Sequence, residues 1–308
     1  MPPPSSLNAA IVARRWLTWL RQNPAALIGG ALLTAFAVLA LFGPLLTPFG
    51  IDQRVGPVYG APSPVHPLGL DDSGVDMLSL LIAGTRISML VGFAASMVSV
   101  LVGGFVGVTA GYVGGWVDTA LMRITDYFIV IPALPLMIVV ATVWAPSVVH
   151  MVLIIALLLW TSTARLIRAQ VLALKERVSV RRARAIGAGH ARIVLRHIVP
   201  DIVGLLVATT VLAVSVAVFF EAALSFLGLG DPATVSWGRL IQIAFERTAI
   251  SSGAWWAIIP PGLCIALVVL GSSLLGTAIQ HAANPKAGIA HVSSRTFRIR
   301  PVPEASRD

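Results

Sequence analysis

The sequence predicts an all-α integral membrane protein with about six transmembrane helices, on two features of composition and one of charge pattern. Apolar residues make up 57% of the chain, charged residues only 11%, and the mean hydropathy is +0.88, more than a water-soluble domain could bury. The apolar residues fall in long uncharged runs without the strict alternation of barrel strands, so helices are left to satisfy the backbone in lipid. The cations sit beside those runs: Arg14, Arg15 and Arg21 before the first, Arg165 to Arg196 in one central segment, and Lys286 to Arg307 after the last. The net charge of +9 is therefore a topology signal and not a nucleic-acid footprint, because Lys and Arg collect in cytoplasmic loops. The single cysteine, Cys264, excludes an internal disulfide framework and a cysteine-based zinc site, and within its apolar run it reads as a small buried hydrophobe.

The first uncharged stretch runs from Gln22 to Ile51, and its core Ala25 to Leu46 matches the roughly 20 residues a helix needs to cross hydrocarbon. It is long for a signal-peptide core and no A-x-A site follows it, so it reads as a retained span. The second stretch runs from Ile87 to Val117, with its membrane part from Ile87 to about Ala110. Gly103, Gly107, Gly111 and Gly115 recur every four residues, which places them on one helical face where a neighbouring backbone approaches closely. A hinge is the alternative, and the lower glycines also suit a tight turn.

Between Asp126 and Arg165 there is no charged residue, and a continuous helix there would be nearly twice the hydrocarbon thickness at about 1.5 Å per residue. The chain must fold back, and Trp144, Pro146, Ser147 and His150 mark the place. Spans three and four are then Asp118 to Val143 and Val148 to Ile167. Asp201 and Glu221 bracket the fifth, Ile202 to Phe220. The sixth is Ala254 to Gln280, anchored by Trp255 and Trp256, with Pro260 and Pro261 kinking or starting the helix.

With a basic N-terminus inside, an even number of crossings returns the C-terminus inside and places Arg165 to Pro200 on the same cytoplasmic side. The loop Thr47 to Thr85, with Asp52, Asp71, Asp72 and Asp76 against Arg54, then faces out, as does Glu221 to Gly253. Residues 1–24 interleave Trp16 and Trp19 with Arg14, Arg15 and Arg21 and suit an interfacial helix on anionic lipid. Residues 25–280 form the membrane domain, and 281–308 read as a polar, basic, mobile tail.

The run Ala164-Arg-Leu-Ile-Arg-Ala-Gln-Val-Leu-Ala-Leu-Lys carries span four past the membrane as an amphipathic helix, with Leu166, Val171 and Leu174 at roughly helical spacing among cations. A short helix beyond it, turning at Gly187 and re-entering the membrane at Pro200, would present a compact knob within residues 168–200. This segment resembles the EAA loop of ABC importer permeases, with Gly187, Ile198 and Pro200 matching its glycine and its Ile-x-Pro ending. More motifs resemble the oligopeptide, dipeptide and nickel branch: His66-Pro-Leu-Gly-Leu-Asp-Asp-Ser-Gly-Val-Asp, Gly111-Tyr-Val-Gly-Gly-Trp-Val-Asp, Arg196-His-Ile-Val-Pro, and Glu221-Ala-Ala-Leu-Ser-Phe-Leu-Gly-Leu-Gly followed by Ser236-Trp-Gly. The resemblance spans about Pro24 to Lys286, and several long motifs in order make it specific.

The resemblance implies the type I ABC importer permease fold and a division of roles. Val180, Arg181, Arg182, Ala183, Arg184, Gly187, Ala188, Ile198 and Pro200 would couple to an ATPase subunit. His66, Pro67, Gly69, Asp71, Asp76, Glu221, Ser225 and Trp237 would belong to external loops that dock a receptor or gate the path. It implies as partners a homologous permease, one or two P-loop ATPases and an extracytoplasmic binding protein, in the inner membrane of a prokaryote. ATP and Mg would be bound by the partner subunits, with no cofactor in this chain.

Three departures stand out: Arg181 and Arg182 replace the loop's glutamate and first alanine, Val75 stands where arginine is usual, and Asn284 replaces a tail aspartate. Arginine near a helix N-terminus opposes the macrodipole by a few tenths of a kcal/mol and reverses the charge shown to a partner. A compensating acidic cleft, weakened coupling, or side chains that merely point into water are the three readings.

No P-loop motif, no H-E-x-x-H or comparable histidine spacing, and no nucleophile elbow occurs, so nucleotide hydrolysis, metal binding and ester hydrolysis by this chain are not indicated. Arg123 and Asp126 share a helical face at i, i+3 and read as a neutralising pair near Asp118, with a proton relay as the rival. Glu221 reads as the outer end of span five, either a gate or receptor contact or simply exposed. A secondary transporter would show inverted repeats and midplane charges, which are not apparent. The family's solutes are di- and oligopeptides, with nickel, glutathione or another small solute as alternatives.

Overall fold

The computed structural model describes residues 23–283, so the expected interfacial segment, nearly all of the tail and Asn284 lie outside the described residues. The helices are α1 Pro24–Leu46, α2 Met77–Val113, α3 Gly115–Val130, α4 Ala133–Val143 and α5 Val148–Lys175. There follow α6 Val178–Ala185, α7 His190–Ile193, a π turn Val194–Ile198, α8 Val199–Phe226, α9 Trp237–Glu246, a 3₁₀ turn Trp255–Ala257 and α10 Ile259–Ala283. Among the described residues five helical stretches are long and apolar enough to cross a membrane, and α3 with α4 forms a sixth candidate, bent by 90° at its break.

Contacts between helices decide whether the bent pair crosses. Gly103 of α2 faces Trp160 and Thr163 of α5, Gly107 faces Ala164 and Ile167, and Gly111 faces Arg168 and Val171. Residue numbers rise together, so α2 and α5 run parallel and end at the same side. Residues 114–147 therefore travel from one end of the bundle to the other, and α3 with α4 makes that crossing. In α8, Val218 meets Gly92 while Leu206 meets Gly104, so α8 is antiparallel to α2. The six crossings alternate.

The structure moves three expected boundaries. Helix α2 begins at Met77 rather than Ile87, with the Asp76 carboxylate accepting from Ser79 N at 2.9 Å as its N-cap. Its first turns carry Ser79, Thr85 and Arg86, and the first two are buried in protein, so a charge-free window missed them. Span three is broken, because Pro132 cannot donate a backbone N–H; α3 stops at Val130 and α4 starts at Ala133. Span five runs on to Phe226, which puts Glu221 inside a helix.

The glycine face of α2 is what lets α5 lie so close. A Cβ on Gly107 would stand 2.6 Å from the Ala164 carbonyl oxygen and 2.9 Å from Ile167 Cβ. Gly115 is not on that face. It opens α3 with φ +58°, nothing stands near its missing side chain, and with Gly114 at φ +72° it makes the tight turn between α2 and α3. Its expected packing role is corrected accordingly.

Candidate functional site

Two regions at opposite ends of the bundle carry the residues singled out by sequence. At the first, α5 runs unbroken to Lys175, Arg177 turns the chain, and α6 lies across the end. Gly187 sits at φ +77° and donates to Arg184 O at 3.0 Å, while Ala188 N donates to Ala183 O at 3.0 Å. That pair of bonds closes α6 in a Schellman motif, which explains the glycine by its left-handed backbone.

Beneath α6 lies a hydrophobic base of Ile167, Val171, Leu174, Val180, Ala183, Ile193, Ile198 and Ile202. Val180 and Ala183 point into it, whereas Arg181, Arg182 and Arg184 face solvent and Ile186 is 85% exposed at the tip. The result is a rigid knob with a cationic rim and an apolar apex. Arg177 Nη1 donates to Asp201 at 2.6 Å, and Tyr112 Oη lies 2.9 Å from His190 Nδ1, so the knob is tied to α8 and α2. Ile198 is fully buried; Pro200 lacks the N–H for a normal helical bond, and the chain widens there into the π turn, with Val199 N donating to Val194 O.

Near this end α3 and α5 are joined by ion pairs that sequence spacing assigned differently. Asp126 does not pair with Arg123; it accepts from Arg165 Nη2 at 2.6 Å. Asp118 takes Arg168 bidentately, at 2.5 and 2.6 Å. The partners lie 39 and 50 residues apart, so only the fold brings them together.

At the other end, residues 47–76, α9 and residues 247–258 form a cap. His66 Nδ1 meets Asp76 Oδ1 at 2.8 Å, Trp256 Nε1 donates to Leu70 O at 3.0 Å, and Tyr59 Oη donates to Arg247 O at 3.0 Å. Gly69, at φ +65°, leaves no room for a Cβ between Gly60 O and Trp256 Nε1, both 2.7 Å away. Burial pushes the Asp71 carboxyl above its ordinary range, against the pull of bonds from Val75 N and Ser73 N.

Glu221 corrects the reading that placed it at an exposed helix end: it is fully buried. Its Oε2 accepts from Ser88 Oγ of α2 at 2.9 Å and its Oε1 from Ser225 Oγ at 2.8 Å, and the buried Ser236 lines the same cavity as Glu221. Ser88 Oγ in turn accepts from Trp237 N at 3.2 Å, and Trp237 Nε1 donates to Leu81 O at 3.2 Å. Trp237, Ser225, Asp76 and Gly69 are likewise turned inward, so they shape the cap from within. Pro67 is exposed and His66 and Asp71 are half-buried, which leaves these three the most accessible of the predicted cap residues. A cavity of about 540 Å³ opens beside Glu221, rimmed by Asp72, Asp231, Arg239, Glu246 and Arg247.

Sequence reasoning missed Ser88, Ser236, Trp256 and Arg165 as site-forming residues. The motif Ser236-Trp-Gly held part of the signal, because Gly238 packs its backbone against Ala222 with no room for a side chain. Among the described residues no cluster of His, Cys, Asp or Glu could hold a metal ion.

The sequence comparisons agree with this geometry. Residues 100–288 match the family model of the binding-protein-dependent transport system inner membrane component, and residues 14–60 that of the N-terminal TM domain of oligopeptide transport permease C. The chain is 33% identical to a dipeptide transport system permease protein of Alkalihalophilus pseudofirmus, over 92% of this chain and 94% of that one. It is 32% identical to an oligopeptide transport system permease protein of Bacillus subtilis, over 86% and 87% of the two chains. A dipeptide permease of Haemophilus influenzae is 33% identical over 87% of this chain and 92% of its own. The chain thus belongs to the binding-protein-dependent transport inner membrane component family and is a multi-pass permease subunit of an ABC importer.

Proposed function

We propose that this subunit forms half of the translocation path of an importer for di- and oligopeptides, with a homologous permease supplying the other half. Separate P-loop ATPases bind ATP and Mg and grip the α6 knob from the cytoplasm, where both termini also lie. An extracytoplasmic binding protein delivers the solute at the cap. The single observation that carries the reading is the knob: exposed Arg181, Arg182 and Ile186 stand on a closed hydrophobic base, a shape that connects two helices and also offers a grip. The names of the relatives support peptides as the cargo.

The test is reconstitution of the complete transporter with Arg181→Glu and Arg182→Glu together. Substrate-stimulated ATP hydrolysis is expected to fall about tenfold, the factor for 1.4 kcal/mol of lost docking, while insertion stays normal. Unchanged coupling would remove both arginines from the ATPase interface. Failure of the unaltered complex to take up any peptide would refute the cargo.

A further inference from the structure

The 90° bend between α3 and α4 leaves an open cleft of about 740 Å³ against α5. Its walls are apolar, including Phe128, Ile131 and Leu166, and Ser162 and Arg165 line it as well. The Ser162 hydroxyl donates to Leu159 O in its own helix, so its lone pairs remain to accept. Arg165 donates only through Nη2 to Asp126; among the described residues its Nε and Nη1 make no hydrogen bond.

The neighbouring pair is built differently. Arg168 grips both oxygens of Asp118, with 33% and 16% of the two side chains exposed, which is the geometry of a clamp between α3 and α5. Arg165 and Asp126 share one bond and stay 49% and 46% exposed. Counted from Val148 at about 1.5 Å per residue, Arg165 lies about 26 Å along α5, close to the far edge of a hydrocarbon layer roughly 30 Å thick. A half-exposed Asp–Arg pair is at home at that edge, where water reaches it, and the cleft opens beside it between α3–α4 and α5. On the proposed reading the pair thus stands at the knob end of the translocation path.

We propose that the α3–α5 cleft is a carboxylate-binding station on that path. Arg165 keeps Asp126 on one nitrogen and takes the C-terminal carboxylate of a passing peptide on its open donors. The apolar walls hold the last side chain, and Ser162 accepts a peptide N–H. Asp126 holds the guanidinium ready and competes with the cargo, so that the carboxylate is released as well as bound. The proposal rests on the peptide-importer reading.

The experiment uses the whole transporter in proteoliposomes, arrested during turnover, with a tripeptide carrying a photoactivatable leucine and a free C-terminal carboxylate. Mass spectrometry is expected to place the cross-link on residues 128–133 or 158–166. Arg165→Gln should lower that labelling at least tenfold, whereas Asp126→Asn, which breaks the pair but leaves the guanidinium, should retain or raise it. Labelling elsewhere, labelling that survives Arg165→Gln, or equal loss in Asp126→Asn would overturn the station and leave a second clamp. Capture of photoactivatable phosphatidylglycerol in the cleft at saturating peptide would assign the guanidinium to lipid and also overturn it. Uptake by the unaltered transporter, measured in parallel, separates the two failures: uptake without cleft labelling sinks only the station, and absent uptake sinks the cargo itself.

Discussion

Replacing Glu221 by alanine should loosen the cap from the bundle. The carboxyl accepts from Ser88 and Ser225, which come from different helices, and Ser88 Oγ in turn accepts from Trp237 N at the start of α9. Both serines are buried, and a buried hydroxyl that loses its partner costs about 1–3 kcal/mol. The two bonds of known length thus bound the loss at about 2–6 kcal/mol. Ser88 and Ser225 can turn to a carbonyl of their own helix, as Thr209 and Ser272 already do, which brings the expectation to about 3 kcal/mol. Glutamine keeps the volume and one acceptor and should cost about 1 kcal/mol. The only cysteine, Cys264 of α10, packs beside the Phe36 and Trp237 cluster under the cap and serves as the reporter. On heating in detergent with a fluorogenic thiol reagent, the alanine variant should react several degrees earlier than the glutamine variant, and that one earlier than wild type. Coincident midpoints for all three would refute the network as a source of cap stability.

Four further expectations follow. Gly107→Val forces a side chain between the α2 and α5 backbones and should cost about 1–3 kcal/mol or more, seen as poor monodispersity in detergent. Gly115→Ala meets nothing and should show only the backbone cost of a positive φ, about 1–2 kcal/mol. The raised Asp71 carboxyl means that the folded cap holds a proton more tightly than the unfolded chain does. Its stabilising share is full below the ordinary aspartate range and is lost as pH rises through the higher folded value. Cap melting should therefore show a shallower decline between acid and neutral pH in Asp71→Asn than in wild type. For orientation, cysteine introduced at the exposed Ser179 should resist an impermeant thiol reagent in intact cells, and at the exposed Ser63 it should react. The reverse pattern would invert the membrane topology.

How much of this was legible depends on how local the cause is. The uncharged runs announce themselves because hydrocarbon excludes charge from any helix facing it, and the knob announces itself because Gly187 marks a left-handed turn within its own segment. Glu221 and Met77 misled for a common reason. Helix ends that are wrapped in protein tolerate Glu, Ser and Thr, whereas a charge-free window assumes lipid all round. The partner that buries Glu221 against α2 lies 133 residues earlier, at Ser88, and no periodicity within either helix points to the other. Pro132 was visible in the sequence, but an apolar run with proline can kink or break, and the 90° turn is decided by what packs around it.

The unbroken passage of α5 from the cap end into the knob has a mechanical consequence. Its 28 residues make a rod about 42 Å long that runs without a break to Lys175, where Arg177 turns the chain into α6. A displacement of about 4 Å at the Lys175 end of the rod corresponds to about 5° of tilt along it. Because α2 lies parallel and flush against it through Gly103, Gly107 and Gly111, both shafts must lean together. The return limb is not a plain α-helix in the same way, because it passes through the π turn just before Pro200, so the two limbs that leave the knob are built differently.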